Sequence, residues 1–398
     1  MLEVCKKVLS PVTGVSLTAA TVIGAAMTAV GFAGAALLYF YFAGKGYLVF
    51  DQNDMLAYFN SARWVVEGGR LYREVPSDYP LLANIIFATV RYLSDLLHLG
   101  IRGFFSLWIA STWIVYLYAV YRIATGTTML AGLAWLAPAP MFFAVFRFDI
   151  YPAVATLMSL FAIQRTRYIE GAIWLGVAGA LKGYALWLLP AYCVFMVYQR
   201  GVAAAIKVGV LAVAPMLLSL LATLIFTGWD EMVAPFSSQA LRTLNGESTY
   251  DAFNYFFSAP VIPDGSEVRW IAQSLQVACA LAAAAMRPRS FDDLVNAFLF
   301  AILGFMSFSV FYSPQYVLWV LPLVCFSRSR VMLISAIVLS WLTFLYYPIS
   351  RLDPGLFKPP AVIAVSLVRS FMMFLTVRQH FELLPWTDHP QGRPGQAT

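Results

Sequence analysis

Long apolar segments recur along the whole chain, and they constrain its fold more than any other feature. A membrane-spanning helix needs about 20 apolar residues, and the first such run extends from about 15 to 43. Because backbone polar groups inside a bilayer must be paired within the protein, the pattern predicts an all-α polytopic transmembrane helical bundle of about 11 to 13 segments. The further apolar segments lie near 81–97, 103–121, 128–146, 149–164, 169–182, 184–199, 204–227, 268–286, 293–312, 315–327, 330–348 and 360–377.

The composition excludes an ordinary soluble protein. The chain is 61% hydrophobic and 12% charged, whereas soluble domains carry about twice that charge. The net charge is +6, and the basic residues are distributed over short loops, as residues that orient a membrane protein are. We therefore expect membrane lipid and no nucleic acid among its partners. The four cysteines and three histidines lack the spacing of a metal site or a disulfide framework, so neither a metal nor another cofactor is expected.

Basic residues between the apolar segments orient the chain, because cytoplasmic loops are enriched in Lys and Arg. From residue 165 onward, turns that carry these basic residues alternate regularly with predicted outer loops. Upstream, three full crossings at 81–97, 103–121 and 128–146 would place Arg165 and Arg167 outside, so one of these three segments is predicted not to be a simple span. The turns predicted to be cytoplasmic carry Arg165 and Arg167, Arg200 and Lys207, Arg287 and Arg289, Arg328 and Arg330, and Arg378.

We expect one integral membrane domain over 1–385. Two long loops then face outward, the first loop at 44–80 and the second loop at 228–267, and each is long enough to hold short interfacial helices. The final segment, 386–398, is polar and rich in proline and glycine, which predicts a disordered tail.

Two carboxylates follow the first apolar run. Asp51 and Asp54 are three residues apart, so on a helix they share a face. At the outer membrane surface, such a carboxylate can act as a general base on a hydroxyl. The alternative is an ordinary helix cap, where Asp is also common.

Three ionisable residues lie between apolar runs, namely Arg147 and Asp149 in FRFD and Lys182 in GALKGYALWLLP. Charges at membrane depth are costly and are by default functional or paired. Arg147 and Asp149 could pair with each other. Lys182 could hold a phosphate as a point charge, or it could extend to the lipid headgroups.

Further polar groups lie in the predicted outer loops, and each also has a plain structural interpretation. Tyr79-Pro80 can be a helix entry with an aromatic anchor, and LRTLNGES can be an ordinary charged loop. FYSPQY can be a helical hairpin turn. The side chains of interest in the last two stretches are Arg242, Glu247, Ser248, Ser313, Gln315 and Tyr316.

Together these residues map to one face of the membrane, which suits an enzyme that takes an anionic lipid-linked substrate from the outer leaflet. No glycine-rich phosphate loop is present, so a soluble nucleotide-sugar donor is not expected. The alternatives are a lipid or polar-solute transporter or flippase, whose inverted repeats we do not find, and a structural subunit, which leaves the polar outer loops without a role.

The first loop resembles a known family. The stretch NDMLAYFNSARWVVEGGRLYREVPSDYP is similar to the first outer loop of glycosyltransferase family 87, which comprises polyprenyl-phosphate-mannose-dependent enzymes of the glycosyltransferase-C superfamily. Leu81 replaces the second proline of the family's Tyr-Pro-Pro. The residues that match in order are Asp54, Tyr58, Gly69, Leu71, Tyr72, Tyr79 and Pro80.

Three later stretches also resemble this family, in the same order. They are the region from FRFD to GALKGYALWLLP, the segment PFSSQALRTLNGES, and the turn FYSPQYVLWVLP. The resemblance covers about residues 50 to 325, and the last part of the chain carries no motif that we assign.

The resemblance implies a glycosyltransferase-C-like fold in a bacterial cytoplasmic (inner) membrane, with the active site facing the periplasm. It implies an inverting transfer from a polyprenyl-phosphate sugar, most often mannose, with Asp54 as general base and Asp51 as the second candidate. The acceptor could be a glycolipid, a polysaccharide or a protein. We expect Lys182, Arg242 and Arg147 to bind the donor phosphate, and the remaining substrate contacts to come from Tyr58, Tyr79, Asp149, Glu247, Ser248, Ser313, Gln315 and Tyr316.

Overall fold

The computed structural model describes residues 17–44, 48–244, 247–257, 261–349 and 354–383. These residues are helical apart from loops and one isolated β-bridge between Leu71 and Val75, which confirms the predicted all-α polytopic class. The tail predicted at 386–398 lies outside the described residues.

Eight helices are described in the first half of the chain. Two of them, α2 and α3, lie in the first loop, so the predicted short helices are present there. Their bounds are α1 Leu17–Gly44, α2 Leu48–Ser61, α3 Arg63–Val66, α4 Leu81–Leu96, α5 Gly100–Gly126, α6 Met129–Trp135, α7 Pro138–Phe146 and α8 Ile150–Gln164.

The second half begins with α9 and a short 3-10 helix, and its second loop also carries two short helices, α12 and α13. The bounds are α9 Tyr168–Leu181, the 3-10 helix Gly183–Leu188, α10 Leu189–Arg200, α11 Val202–Phe226, α12 Trp229–Ala240, α13 Thr249–Asn254, α14 Ser266–Ala285, α15 Phe291–Phe308, a 3-10 turn Pro314–Tyr316, α16 Val317–Val324, α17 Arg330–Tyr346 and α18 Pro354–Leu383.

Five helices of the described chain are long and apolar enough to cross a membrane, or six if the bent pair of α7 and α8 counts as one span. They lie at Gly100–Gly126, Val202–Phe226, Ser266–Ala285, Phe291–Phe308 and Pro359–Phe381. This number is lower than the 11 to 13 segments expected from hydropathy, because several apolar runs fold as shorter helices. Hydropathy counts apolar residues and does not register where a helix ends.

The early segment 128–146 is broken, which agrees with the prediction that one of three segments is not a simple span. Pro138 begins α7 and ends any continuation of α6, since proline lacks the donor that a helix interior needs. Helices α7 and α8 are then bent by 116°. Another of the three, 81–97, forms the 16-residue α4, which is also shorter than a typical span.

Some short helices, such as α7 and α16, lie in the protein interior, whereas long helices such as α11 expose apolar faces. Every residue of α16 is buried, whereas α11 exposes Leu217, Leu218 and Ile225 at its surface. Non-helical backbone at membrane depth is tolerated only where protein or a cavity surrounds it. The breaks beside α7, α9 and α16 therefore create the interior positions where polar side chains can form a site.

Candidate active site

One cavity, of about 640 Å³, collects residues from both loops, from the break after α9 and from the turn before α16. We call it the site cavity. Much of its wall is aromatic, including Tyr184, Trp187, Phe305 and Trp319. Seven residues predicted from the sequence line it together, namely Asp54, Tyr79, Lys182, Arg242, Ser313, Gln315 and Tyr316.

Helix α2 places Asp54 at the cavity, with its side chain 36% exposed. The Asp54 carboxylate forms an ion pair with the guanidinium of Arg147. Asp51 lies one turn earlier in the same helix, but its side chain is outside the described part of the structure. The Arg147 partner fixes the direction of the Asp54 carboxylate, while the cavity side leaves that carboxylate accessible.

The bend between α7 and α8 positions both charges of the FRFD motif. Arg147 is the residue that ends α7, and its Nη2 donates to the Tyr347 hydroxyl at 2.7 Å. Asp149 immediately precedes α8 and is fully buried. Each charge thus has a partner distant in sequence, Asp54 for Arg147 and Lys182 for Asp149. Arg147 is not among the described residues that line the site cavity.

Asp149 holds two groups of the cavity wall through one oxygen. Its Oδ1 accepts from Lys182 Nζ and from Trp319 Nε1, both at 2.7 Å. Lys182 occupies this position because α9 ends at Leu181 and the chain turns into the 3-10 helix. The ammonium is therefore directed into the protein and the cavity, with its side chain 20% exposed.

Three aromatic rings form a continuous stack beside Lys182. The ring centres of Tyr184 and Trp319 are 4.3 Å apart and the two rings are nearly parallel. The Tyr316 ring also stacks on Trp319, with ring centres 3.7 Å apart. Lys182 Nζ is 5.1 Å from the centre of the Trp319 ring, within the range of a cation–π contact. Such a stack supplies a flat apolar wall next to a positive charge.

The turn before α16 is held by its own side chains. Ser313 Oγ donates to Gln315 Oε1 at 2.8 Å, and Gln315 is 8% exposed. This bond fixes the amide of Gln315 at the cavity wall. The predicted SPQY turn is thus present, and all three of its predicted side chains line the site cavity.

The first loop ends in a hydrogen-bonded frame around Tyr79. The Tyr79 carbonyl accepts from the Tyr72 hydroxyl and from Asn84 Nδ2, each at 2.7 Å. Burial raises the pKa of the Tyr72 phenol above its ordinary value of 10.0, so this hydroxyl stays a donor. Tyr58, on α2 of the same loop, is fully buried, and its hydroxyl accepts from the backbone N–H of Phe148 at 3.3 Å. The described lining of the cavity does not include it.

Arg242 is the second cation of the cavity lining. Its Nη2 is 3.5 Å from Asp78 Oδ2, and its guanidinium lies 4.2 Å from the centre of the Phe311 ring. The Asp78 contact is longer than a good charge-assisted hydrogen bond. Arg242 is therefore held less tightly than Lys182, whose ammonium forms a 2.7 Å bond with Asp149.

Glu247 and Ser248 belong to a different cluster, outside the described lining of the cavity. Ser248 caps α13 by accepting from the backbone N–H of Asp251 at 3.1 Å. Glu247 Oε2 accepts from the Tyr346 hydroxyl at 3.4 Å. Fully buried Arg369 of α18 donates to Thr249 Oγ1 at 3.1 Å and so fastens this segment to the end of the chain.

Several residues of the site were not singled out from the sequence. Trp319 and Tyr184 look like ordinary aromatic residues of apolar helices, and Tyr347 lies 200 residues from its partner Arg147. Asn84 did carry a signal, because a polar amide in the first turns of the apolar α4 needs a partner.

One of three comparisons with known proteins identifies the family of this chain. The chain matches the sequence model described as Glycosyltransferase family 87 over residues 78–314, which is more than half of its 398 residues. The match contains Asp149, Lys182 and Arg242, and it begins after Asp54. No curated protein and no solved structure gave a match. The chain therefore belongs to glycosyltransferase family 87 and is a membrane glycosyltransferase.

Proposed function

We propose that the protein transfers a sugar, mannose, from polyprenyl phosphate to an acceptor hydroxyl with inversion at the anomeric carbon. The observation that carries this proposal is the composition of one cavity, in which the accessible carboxylate of Asp54 lies with the cations Lys182 and Arg242 and a wall of aromatic rings. A lipid-linked sugar phosphate presents matching chemistry, since its phosphate is anionic and its sugar and lipid have apolar faces.

Asp54 is the general base of the proposed reaction. Its carboxylate takes the proton of the acceptor hydroxyl while that oxygen attacks the anomeric carbon. The bond from the anomeric carbon to the phosphate oxygen breaks in the same step, so polyprenyl phosphate leaves and the configuration inverts. Arg147 acts behind Asp54 as a positioning residue, because it forms an ion pair with the carboxylate but does not belong to the described cavity lining.

Arg242 and Lys182 take up the charge of the leaving phosphate. Fixed cations directed at developing negative charge are an effective form of transition-state stabilisation. Arg242 can present two parallel donors to a phosphate, and its contact with Asp78 is long, at 3.5 Å. Lys182 contributes a point charge that Asp149 keeps in place.

The membrane delivers the donor in this proposal. We take the site cavity to lie on the periplasmic side of a bacterial cytoplasmic membrane, because turns rich in Lys and Arg are expected to be cytoplasmic. The acceptor is a glycolipid, a polysaccharide or a protein exposed on that side.

The decisive experiment measures transfer from polyprenyl-phosphate mannose to acceptors in a membrane extract. We expect Asp54→Asn to lower the turnover rate by about 10²- to 10⁴-fold, the usual contribution of a general base. Asp51→Asn is the matched control, one turn away on the same helix, and it should stay within about two-fold of the parent enzyme, because general-base assistance is lost only with the base itself.

Three outcomes would contradict parts of the proposal. Full activity of Asp54→Asn would remove Asp54 as base, and an inactive Asp51→Asn with an active Asp54→Asn would move the role to Asp51. Failure of the parent enzyme to consume any polyprenyl-phosphate sugar would reject the donor. Polyprenyl-phosphate glucose, tested in competition, distinguishes mannose from its epimer.

A further inference from the structure

Two adjoining cavities lie at the opposite end of α15 from the site cavity. Their volumes are about 370 and 630 Å³, and both are lined by Asp292, Phe326, Ser327 and Arg328. Phe291 lines the larger one and Phe305 lines the site cavity, and the helix between these residues rises about 21 Å. We call the pair of cavities the arginine groove.

The lining of the arginine groove is positively charged. It contains three arginines, Arg328, Arg330 and Arg378, and Asp292 is the one acidic residue among its described lining. Asp292 Oδ2 pairs with Arg328 Nη2 at 2.5 Å. Arg330 is exposed and forms no ion pair with any described residue. A cavity with this balance of charge attracts an anion.

Two further arginines reinforce the positive field behind the groove. Arg122 and Arg165 lie over the ring of Phe161, at 5.0 and 5.8 Å from its centre. Phe161 in turn packs edge-on against Phe326, with ring centres 5.0 Å apart. The charge is thus a property of this whole end of the bundle, and the groove is where a ligand can approach it.

A buried amide in the groove points to a hydroxyl group on the ligand. Asn296 lines the smaller cavity and is 4% exposed. Its Nδ2 donates to the Thr376 carbonyl at 2.8 Å, and its Oδ1 is buried without a partner among the described residues. A buried acceptor left without a donor is unfavourable, and a ligand hydroxyl would supply that donor.

An apolar stripe leads away from the groove along α17. Its residues are spaced three or four apart, so they form one face of the helix, and the stripe begins next to Arg330. The exposed residues are Val331, Ile334, Val338, Trp341 and Leu345. A ligand with its phosphate at Arg330 can therefore lay a hydrocarbon chain along this face.

We propose that the arginine groove binds an anionic phospholipid with a hydroxylated headgroup, such as phosphatidylglycerol. The phosphate contacts Arg328 and Arg330, the headgroup hydroxyl reaches Asn296, and an acyl chain follows the stripe on α17. Basic pockets between membrane helices commonly select anionic headgroups. This lipid is distinct from the proposed sugar donor, because the two sites lie at opposite ends of α15.

The test places the full-length protein in nanodiscs that mix phosphatidylglycerol with phosphatidylcholine, and native mass spectrometry measures which lipid stays bound. We expect preferential retention of phosphatidylglycerol. Each arginine near a headgroup contributes about five-fold in affinity, so Arg330→Gln should weaken that preference about five-fold and Arg328→Gln with Arg330→Gln about thirty-fold.

Arg287→Gln is the matched control, because it removes the same charge near the start of α15 from a residue outside the groove lining. It should leave the preference unchanged. Equal retention of the two lipids, equal effects of Arg287→Gln and Arg330→Gln, or displacement of phosphatidylglycerol by equimolar inorganic phosphate would each overturn the proposal. The readout is binding, so its failure is separable from failure of the proposed sugar transfer.

Discussion

Two ion pairs flank the bend between α7 and α8, and they differ in how much of the carboxylate reaches the cavity. Asp54, paired with Arg147, has a side chain 36% exposed, whereas the side chain of Asp149, paired with Lys182, is 1% exposed. In the first pair the Asp54 carboxylate faces the cavity and the Arg147 guanidinium lies behind it. In the second pair the Lys182 ammonium faces the cavity and the Asp149 carboxylate lies behind it. The same interaction therefore presents a carboxylate in one place and an ammonium in the other.

The largest expected effect is the loss of stability when the buried carboxylate of Asp149 is removed. Asp149→Ala leaves the Lys182 ammonium and the Trp319 indole without their shared acceptor. Removing one partner of a buried pair typically lowers the free energy of unfolding by about 3 kcal/mol or more. Asp54→Ala should cost less, because Asp54 is partly exposed and the buried Arg147 guanidinium keeps its hydrogen bond to the Tyr347 hydroxyl.

Thermal unfolding of both variants in the same detergent measures this difference. The readout must be stability, because both variants are expected to lose activity. If Asp54→Ala destabilises the protein as much as Asp149→Ala, then the two carboxylates do not divide their roles by exposure.

The next effect tests whether Arg147 acts through Asp54. Arg147→Met removes the ion pair while keeping a long side chain, and a misdirected base can cost about 100-fold in rate. We expect kcat to fall while the donor KM stays within about two-fold, because an interaction used only in the transition state leaves substrate binding unchanged. Arg147→Lys should restore part of the rate. A rise in donor KM with kcat unchanged would instead indicate that Arg147 binds the phosphate directly, as the sequence had suggested.

A smaller effect, on the donor KM, is expected at Arg242, which does not pair with Asp149. Arg242→Gln removes a charged donor from the cavity but leaves the Asp149 network intact. A charge-assisted hydrogen bond contributes about 1.5 to 3 kcal/mol, so the donor KM should rise at least about ten-fold. Steady-state kinetics with varied lipid-linked sugar checks this. An unchanged KM together with an unchanged kcat would show that Arg242 does not contact the donor phosphate.

More of the residues of this site than of the ion pairs between them could be predicted from the sequence. Asp54 and Lys182 were identified from their charge next to apolar runs and Arg242 from a loop that resembles the family, and the structure brings all three to one cavity. The pairing of Asp149 with Lys182 could not be read from spacing, because it depends on how a 116° bend faces the end of α9. The prolines of APAP mark the break before α7, but the hydropathy of 128–146 does not reveal it.

The smallest effect, on stability, distinguishes the contributions of Lys182 and Trp319, the two partners of Asp149. Trp319→Phe keeps an aromatic ring between Tyr184 and Tyr316 but removes the Nε1 donor that reaches Asp149 Oδ1. A single hydrogen bond contributes about 1 kcal/mol, so the loss of stability should be about a third of that for Asp149→Ala. Lys182 still neutralises the carboxylate in this variant, which is why the effect stays small. A destabilisation as large as that of Asp149→Ala, measured by thermal unfolding, would show that the indole and not the ammonium is the partner on which the buried acid depends.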